Sequence, residues 1–279
     1  MCRFCVEHGD GKKWYLEAST YAYDLTSDLE RRGYVVDFIG GFEQSRAKAV
    51  TGLDLVERMP APVERYVKRR VTASMTRNHF GQPVPFEDCE RILDITTSVT
   101  RIPCVCRRFA GTHDDAYCMV VTTRPMDDVL EEGFRDYVDG PDLSDFQRLT
   151  KPEALEMLRE CERQGLMHSI WTFQTPFAAA ICNCDLSSGC MAMRITLDYD
   201  TPIMWRGEYV AEADAEACTG CARCVAHCPF DAIEFDRASR RAEVVAERCW
   251  GCGICRTVCD AHALSLRDRS AVPAVADVW

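Results

Sequence analysis

No stretch of this chain is long and apolar enough to span a bilayer; the longest apolar run, Phe177 to Cys182, has the length of a strand. Basic residues are in deficit. Against 44 Asp and Glu stand 33 Lys and Arg, and the formal charge of −11 argues against nucleic acid, which calls for a basic face. The opening Met-Cys-Arg-Phe-Cys is followed by His8, Asp10, Lys12 and Lys13 rather than an apolar segment, so no secretory leader is expected. Also missing are a Walker loop, a G-x-G-x-x-G turn after a strand, an H-E-x-x-H helix and a nucleophile elbow. Nothing therefore points to a bound nucleotide, a flavin in a Rossmann domain or hydrolase chemistry. Histidine is sparse, at six residues.

Cysteine is not sparse. Eighteen are present, and with no leader expected they read as reduced, metal-binding and cytoplasmic. Eight fall into two matched runs: Cys218, Cys221, Cys224 and Cys228, then Cys249, Cys252, Cys255 and Cys259. Both read C-x2-C-x2-C-x3-C, the ligand spacing for a pair of [4Fe–4S] clusters. Thiolate is the soft ligand that such clusters select. The fourth cysteine of each run ordinarily ligates the other cluster. The expected sets are thus Cys218, Cys221, Cys224 and Cys259 for one cluster, and Cys249, Cys252, Cys255 and Cys228 for the other. Zinc held by four thiolates usually comes as separated C-x2-C pairs, which these uninterrupted runs are not.

A displacement of 31 residues also lays Gly220 on Gly251, Ala232 on Ala263 and Ile233 on Leu264, the mark of a duplicated unit. Between the runs, Ile233 to Phe235 and Val244 to Val245 flank a polar stretch and read as a hairpin. On these counts the segment from about Tyr209 to Leu266 resembles the bacterial-type dicluster ferredoxin domain. It departs from that pattern at Asp260, where the first run has Pro229. The resemblance implies single-electron transfer to a redox partner, and an acidic surface would suit a basic one.

The expected fold class is α+β: a mixed N-terminal domain with a small antiparallel sheet plus helices, followed by a dicluster ferredoxin-like domain. The expected boundaries are 1–206, 207–268 and a tail at 269–279. Helical spacing is read over Tyr21 to Arg32, over a basic segment from Val63 to Arg77 and over Phe86 to Val99. A further helix begins at the Thr150/Glu153 capping pattern and ends near Gly165. Extended segments are expected at Tyr34 to Ile39, Ile102 to Cys106, Tyr117 to Thr122, His168 to Thr172 and Phe177 to Asn183. Residues 124–149 read as loop with short helical turns.

Ten cysteines lie outside the two runs. Cys89 and Cys161 occupy core positions of helices. Cys104 with Cys106, and Cys182 with Cys184, have the two-residue period that turns both thiols to one face of a strand. These four are the expected ligands of a third site, with Cys118 and Cys190 as alternatives, holding an iron–sulfur cluster or zinc. Buried, unliganded thiols are the plain alternative. The elements Ile102 to Arg107, Gly165 to His168 and Ile181 to Cys184 look like the N-terminal part of larger ferredoxin-family proteins. Those proteins carry more consecutive cysteines after the I-C-N-C element, whereas here Asp185 to Gly189 intervene before Cys190. Cys2 and Cys5, with His8, form a further candidate pair. His168 reads as a structural histidine beside the second thiol strand, His113 as a loop residue, and Trp250 as either a shield for its cluster or core filling. The function expected is an iron–sulfur electron carrier or a subunit of an oxidoreductase complex. A reductase fed by the ferredoxin domain is the alternative.

Overall fold

The computed structural model describes residues 13–104, 106–107, 117–134, 146–187 and 189–277. Cys2, Cys5, His8, His113 and Trp279 lie outside them. Asp28 accepts hydrogen bonds from the N–H groups of Glu30 (2.9 Å) and Arg31 (3.4 Å), capping α1, Leu29–Gly40. The segment expected as extended, Tyr34 to Ile39, lies inside this helix. Val35 and Ile39, one turn apart, are its buried positions. The helix expected from Tyr21 to Arg32 is instead two 3-10 turns, Ala18–Tyr21 and Tyr23–Ser27, leading into α1.

Helix α2 is Phe42–Val56, and the basic helix α3, Ala61–Asn78, starts where Pro60 and Pro62 allow. After β1, Gly81–Pro83, helix α4 covers Phe86–Ile95 and stops short of Val99. Ser98–Ile102 is a strand, β2, paired residue by residue with β3, Cys118–Thr122. Strand β2 ends at Ile102 because Pro103 has no N–H to offer the ladder. Cys104 and Cys106 therefore lie beyond the strand expected to carry them. Residues read as loop include α5, Asp127–Phe134, and β4, Gln147–Leu149. The capping box forms as read and starts α6, Lys151–Arg163. Strands β5, Met167–Thr172, and β6, Ala178–Cys184, and helix α7, Met191–Leu197, follow.

The sheet order is β1-β5-β6-β3-β2-β4, with antiparallel neighbours throughout. Alternation along the strands sorts the two faces. Met119, Val121, Ile170 and Ile181 pack with Trp14, Tyr15 and the inner residues of α4 and α6, among them Leu93 and Leu158. Val120, Trp171, Ala180 and Cys184 face α1 and α5 through Val35, Ile39, Val129 and Leu130. Cys89 and Cys161 are fully buried, as their helical positions require. No helix among the described residues is long and apolar enough to cross a membrane.

The C-terminal part contains β7, Tyr209–Ala213; α8, Arg223–His227; β8, Ile233–Asp236; β9, Arg241–Val244; and β10, Leu264–Asp268. The 31-residue repeat governs its geometry. Ile233 pairs with Val244 in one ribbon and Leu264 with Ala213 in the other. Helix α8 repeats as the 3-10 turn Ile254–Val258. Positive φ recurs at Gly220 and Gly251, at Ala222 and Gly253, and at Asp231 and His262. The fold is thus α+β with a duplicated C-terminal unit.

Candidate metal centres

Each half of the repeat curls its first three cysteines around a turn that positive φ makes tight. At Gly251 a Cβ would strike the carbonyl oxygen of Tyr209, and at Gly220 that of Arg240. The fourth cysteine leaves each turn and receives a backbone N–H on sulfur. Ala232 N donates to Cys228 Sγ (3.4 Å) and Ala263 N to Cys259 Sγ (3.3 Å). Ala211 N adds a third such bond, to Cys249 Sγ (3.3 Å). Donors aimed at sulfur favour thiolate and are one of the controls on a cluster's potential.

Cys218, Cys221, Cys224 and Cys259 border one cavity of about 420 Å³. Cys221 is exposed, and the backbone and side chain of Arg223 hold its pKa below the usual thiol value. Arg223 also pairs with Asp260, the residue that replaces the expected proline. Cys249, Cys252 and Cys255 are buried, and Cys228 joins their electrostatic neighbourhood. Burial pushes the Cys255 thiol up to about 12 and Cys252 well above its usual value, so these positions need a metal to become thiolates near neutral pH. Trp250 stacks on Phe230 at 5.0 Å, and the Arg206 guanidinium lies 5.0 Å from the Trp250 ring.

Helix α4 and strand β1 of the N-terminal part make contacts beside this second site. Arg256 forms a bidentate pair with Glu87 of α4 (2.7 and 2.8 Å). Asp88 accepts from the hydroxyls of Tyr15 (2.8 Å) and Tyr209 (2.9 Å). Gln82 of β1 donates to Arg206 O (2.7 Å) and Glu208 Oε1 (3.2 Å). Arg269 is buried and donates to the carbonyls of Gly207 (2.7 Å), Tyr209 (2.9 Å) and Cys249 (2.8 Å).

The N-terminal cysteines gather at the ends of β3 and β6, on the face opposite α4 and α6. Cys104 stands in hydrogen-bonding contact with Cys118 and Cys184, Cys118 also with Cys182, and Cys184 also with Cys190. Cys106 lies in the electrostatic reach of Cys104, Cys190 and Cys182. All six sequence candidates, the four first choices and both alternatives, are thereby brought together. Thiol donation from Cys118 and Cys184 holds the Cys104 pKa well below the usual thiol value, while Cys118 and Cys184 are raised in exchange. Cys190 is lowered by donation from Cys184 and from the backbone N–H groups of Met193 and Ala192. Among the described residues no three His, Cys, Asp or Glu side chains close on one ion-sized point. Five of the thiols instead form a chain of contacts, Cys182 to Cys118 to Cys104 to Cys184 to Cys190, with Cys106 beside it.

His168 is a buried structural histidine, its Nδ1 2.6 Å from Asn183 Oδ1, and burial lowers its pKa to about 4. Sequence reasoning passed over Arg206, Arg269, the Glu87–Arg256 pair and His79. None of these follows a spacing rule; only the three-dimensional packing reveals them.

Two matched four-cysteine turns, N–H bonds to sulfur and two ribbons related by one repeat define a ferredoxin-type iron–sulfur domain. A family model for the 4Fe-4S dicluster domain matches residues 187–263. The C-terminal part of the chain therefore carries two [4Fe–4S] clusters and serves electron transfer. No curated protein matches the chain.

Proposed function

We propose that the chain relays single electrons between a docked redox protein and a third thiolate-held centre in its N-terminal domain. In this reading Cys218, Cys221, Cys224 and Cys259 hold the outer cluster. Cys249, Cys252, Cys255 and Cys228 hold the inner one. The third centre is an iron–sulfur cluster held by four of Cys104, Cys106, Cys118, Cys182, Cys184 and Cys190. The working units are residues 1–206 and 207–268, within a cytoplasmic oxidoreductase complex. One observation carries the reading: six thiols from separate parts of the N-terminal domain converge, and one continuous core links Cys184 and Cys190 to Cys224, Cys249 and Cys252. The protein's task in such a relay is to place the clusters and tune them by burial and hydrogen bonding.

The test is iron, zinc and sulfide per chain in protein purified without oxygen. About twelve irons, falling to about eight in Cys104→Ser/Cys182→Ser, is the expected result. About eight in both proteins removes the third cluster, and stoichiometric zinc in its place makes the N-terminal site a staple. A cavity bordered by five of the six cysteines favours a second reading, in which the third centre also meets a substrate.

A further inference from the structure

The cavity of about 730 Å³ lies between α1, α2, α3 and the thiol-bearing face of the sheet. Its size falls within the roughly 300–1,000 Å³ of small-molecule sites. It extends well beyond the cysteines, since Leu53 of α2 and Val71 of α3 border it too. Its charged bordering residues, Asp37 and Lys48, are exposed to solvent. An anionic ligand would therefore be desolvated inside without a cation to pair with, and against thiols that are themselves negative when deprotonated.

The wall near His79 is aromatic. Phe38, Trp171 and Phe173 lie 4.2, 5.0 and 5.0 Å from the His79 ring. His79 Nδ1 lies 2.7 Å from the Thr172 carbonyl oxygen, so that nitrogen carries the hydrogen. The other nitrogen, Nε2, keeps its lone pair, and the ring borders the cavity. Burial keeps the imidazole neutral, with a pKa of about 4.

Helix α3 supplies an independent observation. Val67, Val71 and Met75, spaced at four residues, border the cavity, yet no residue of this 18-residue helix is buried. The apolar stripe of an amphipathic helix ordinarily packs against something. Here it faces a hollow, and an apolar occupant would complete it.

We propose that this cavity binds an uncharged, planar aromatic molecule that donates one hydrogen bond to Nε2 of His79. Aromatic walls suit a planar ring system, and the neutral acceptor of His79, set among them, suits an O–H or N–H donor. The inference deepens the second reading of function, with the thiol group serving as one wall of the site.

Two probes test it on the full chain purified without oxygen: 2-naphthol, and 2-methoxynaphthalene, which has a similar shape but no donor. Calorimetric titration is expected to give one saturable site for 2-naphthol and roughly tenfold weaker binding of the methyl ether, the worth of one hydrogen bond. His79→Phe should abolish that difference, and Val71→Trp, which narrows the cavity beside α3, should weaken binding of both roughly tenfold or more. No saturable binding, equal binding of both probes to the unaltered protein, or full binding by Val71→Trp overturns the inference. Iron is counted on the same preparations. About eight irons with binding intact would remove the third cluster and leave the pocket standing; about twelve with no binding would do the reverse.

Discussion

The two ferredoxin-type sites are near twins in sequence and opposites in setting. The site of Cys218, Cys221, Cys224 and Cys259 keeps one exposed cysteine, with an exposed ion pair between Arg223 and Asp260 beside it. The site of Cys249, Cys252, Cys255 and Cys228 is covered by Trp250, Arg206 and the N-terminal sheet, and two arginines reach the Cys249 carbonyl. Duplication supplies the same local turn twice. What is packed against each copy then leaves one open to solvent and sets the other against the N-terminal domain.

The largest effect expected from this contrast is at the glycines of the inner turn. Gly251→Ala forces a Cβ into the Tyr209 carbonyl at positive φ and should cost about 3 kcal/mol of stability with loss of the inner cluster. Gly253→Ala should cost only about 1 kcal/mol, because its counterpart Ala222 already holds positive φ in the outer turn. Urea unfolding and iron content of both variants check the pair, and equal losses would break the comparison.

Next in size is a pH effect confined to the inner side. Burial raises the Glu208 pKa from 4.5 to about 7. A carboxyl raised on folding stabilises fully below its unfolded pKa and loses that contribution as pH climbs through 7. Glu208→Gln should therefore raise stability at pH 8 relative to pH 5, by about 1–3 kcal/mol. Thermal midpoints at the two pH values decide it, and a gain that is the same at both would argue against titration.

Smaller still is the shift from Arg206→Met, which removes a cation beside Cys249. The inner cluster's potential should fall by on the order of tens of millivolts, with the outer one unmoved. A redox titration followed by electron paramagnetic resonance separates the two. Last, Arg223→Ser removes an exposed charge next to Cys221. It should leave the thermal midpoint unchanged and alter the ionic-strength dependence of electron exchange with a basic partner by about twofold.

The cysteine turns were legible because their spacing is local: three ligands within seven residues dictate their own loop. The hairpin, the capping box at Thr150 and the burial of Cys89 and Cys161 were legible for the same reason. Cys118 could be read only as an alternative, since its approach to Cys104 depends on its pairing with Ile102 across the β2–β3 ladder. Tyr34 to Ile39 misled because its Val, Val and Ile suit a strand, while the Asp28 cap and a buried i, i+4 pair make it helix. The covering of the inner site was not legible at all. Residues Glu87 and Arg256 are far apart in the chain, and no pattern in either segment announces the other.

Arg269 is a buried cation held by three carbonyls and, among the described residues, by no carboxylate at hydrogen-bonding distance. Its charged company is Cys249, the like-charged Arg206 and Glu208, whose own pKa burial raises to about 7. Under the proposed ligand assignment Cys249 is a full anion once it binds iron, and the guanidinium then gains its counter-ion from the cofactor. Loading the inner site and neutralising the buried charge that holds the C-terminal segment are one electrostatic event.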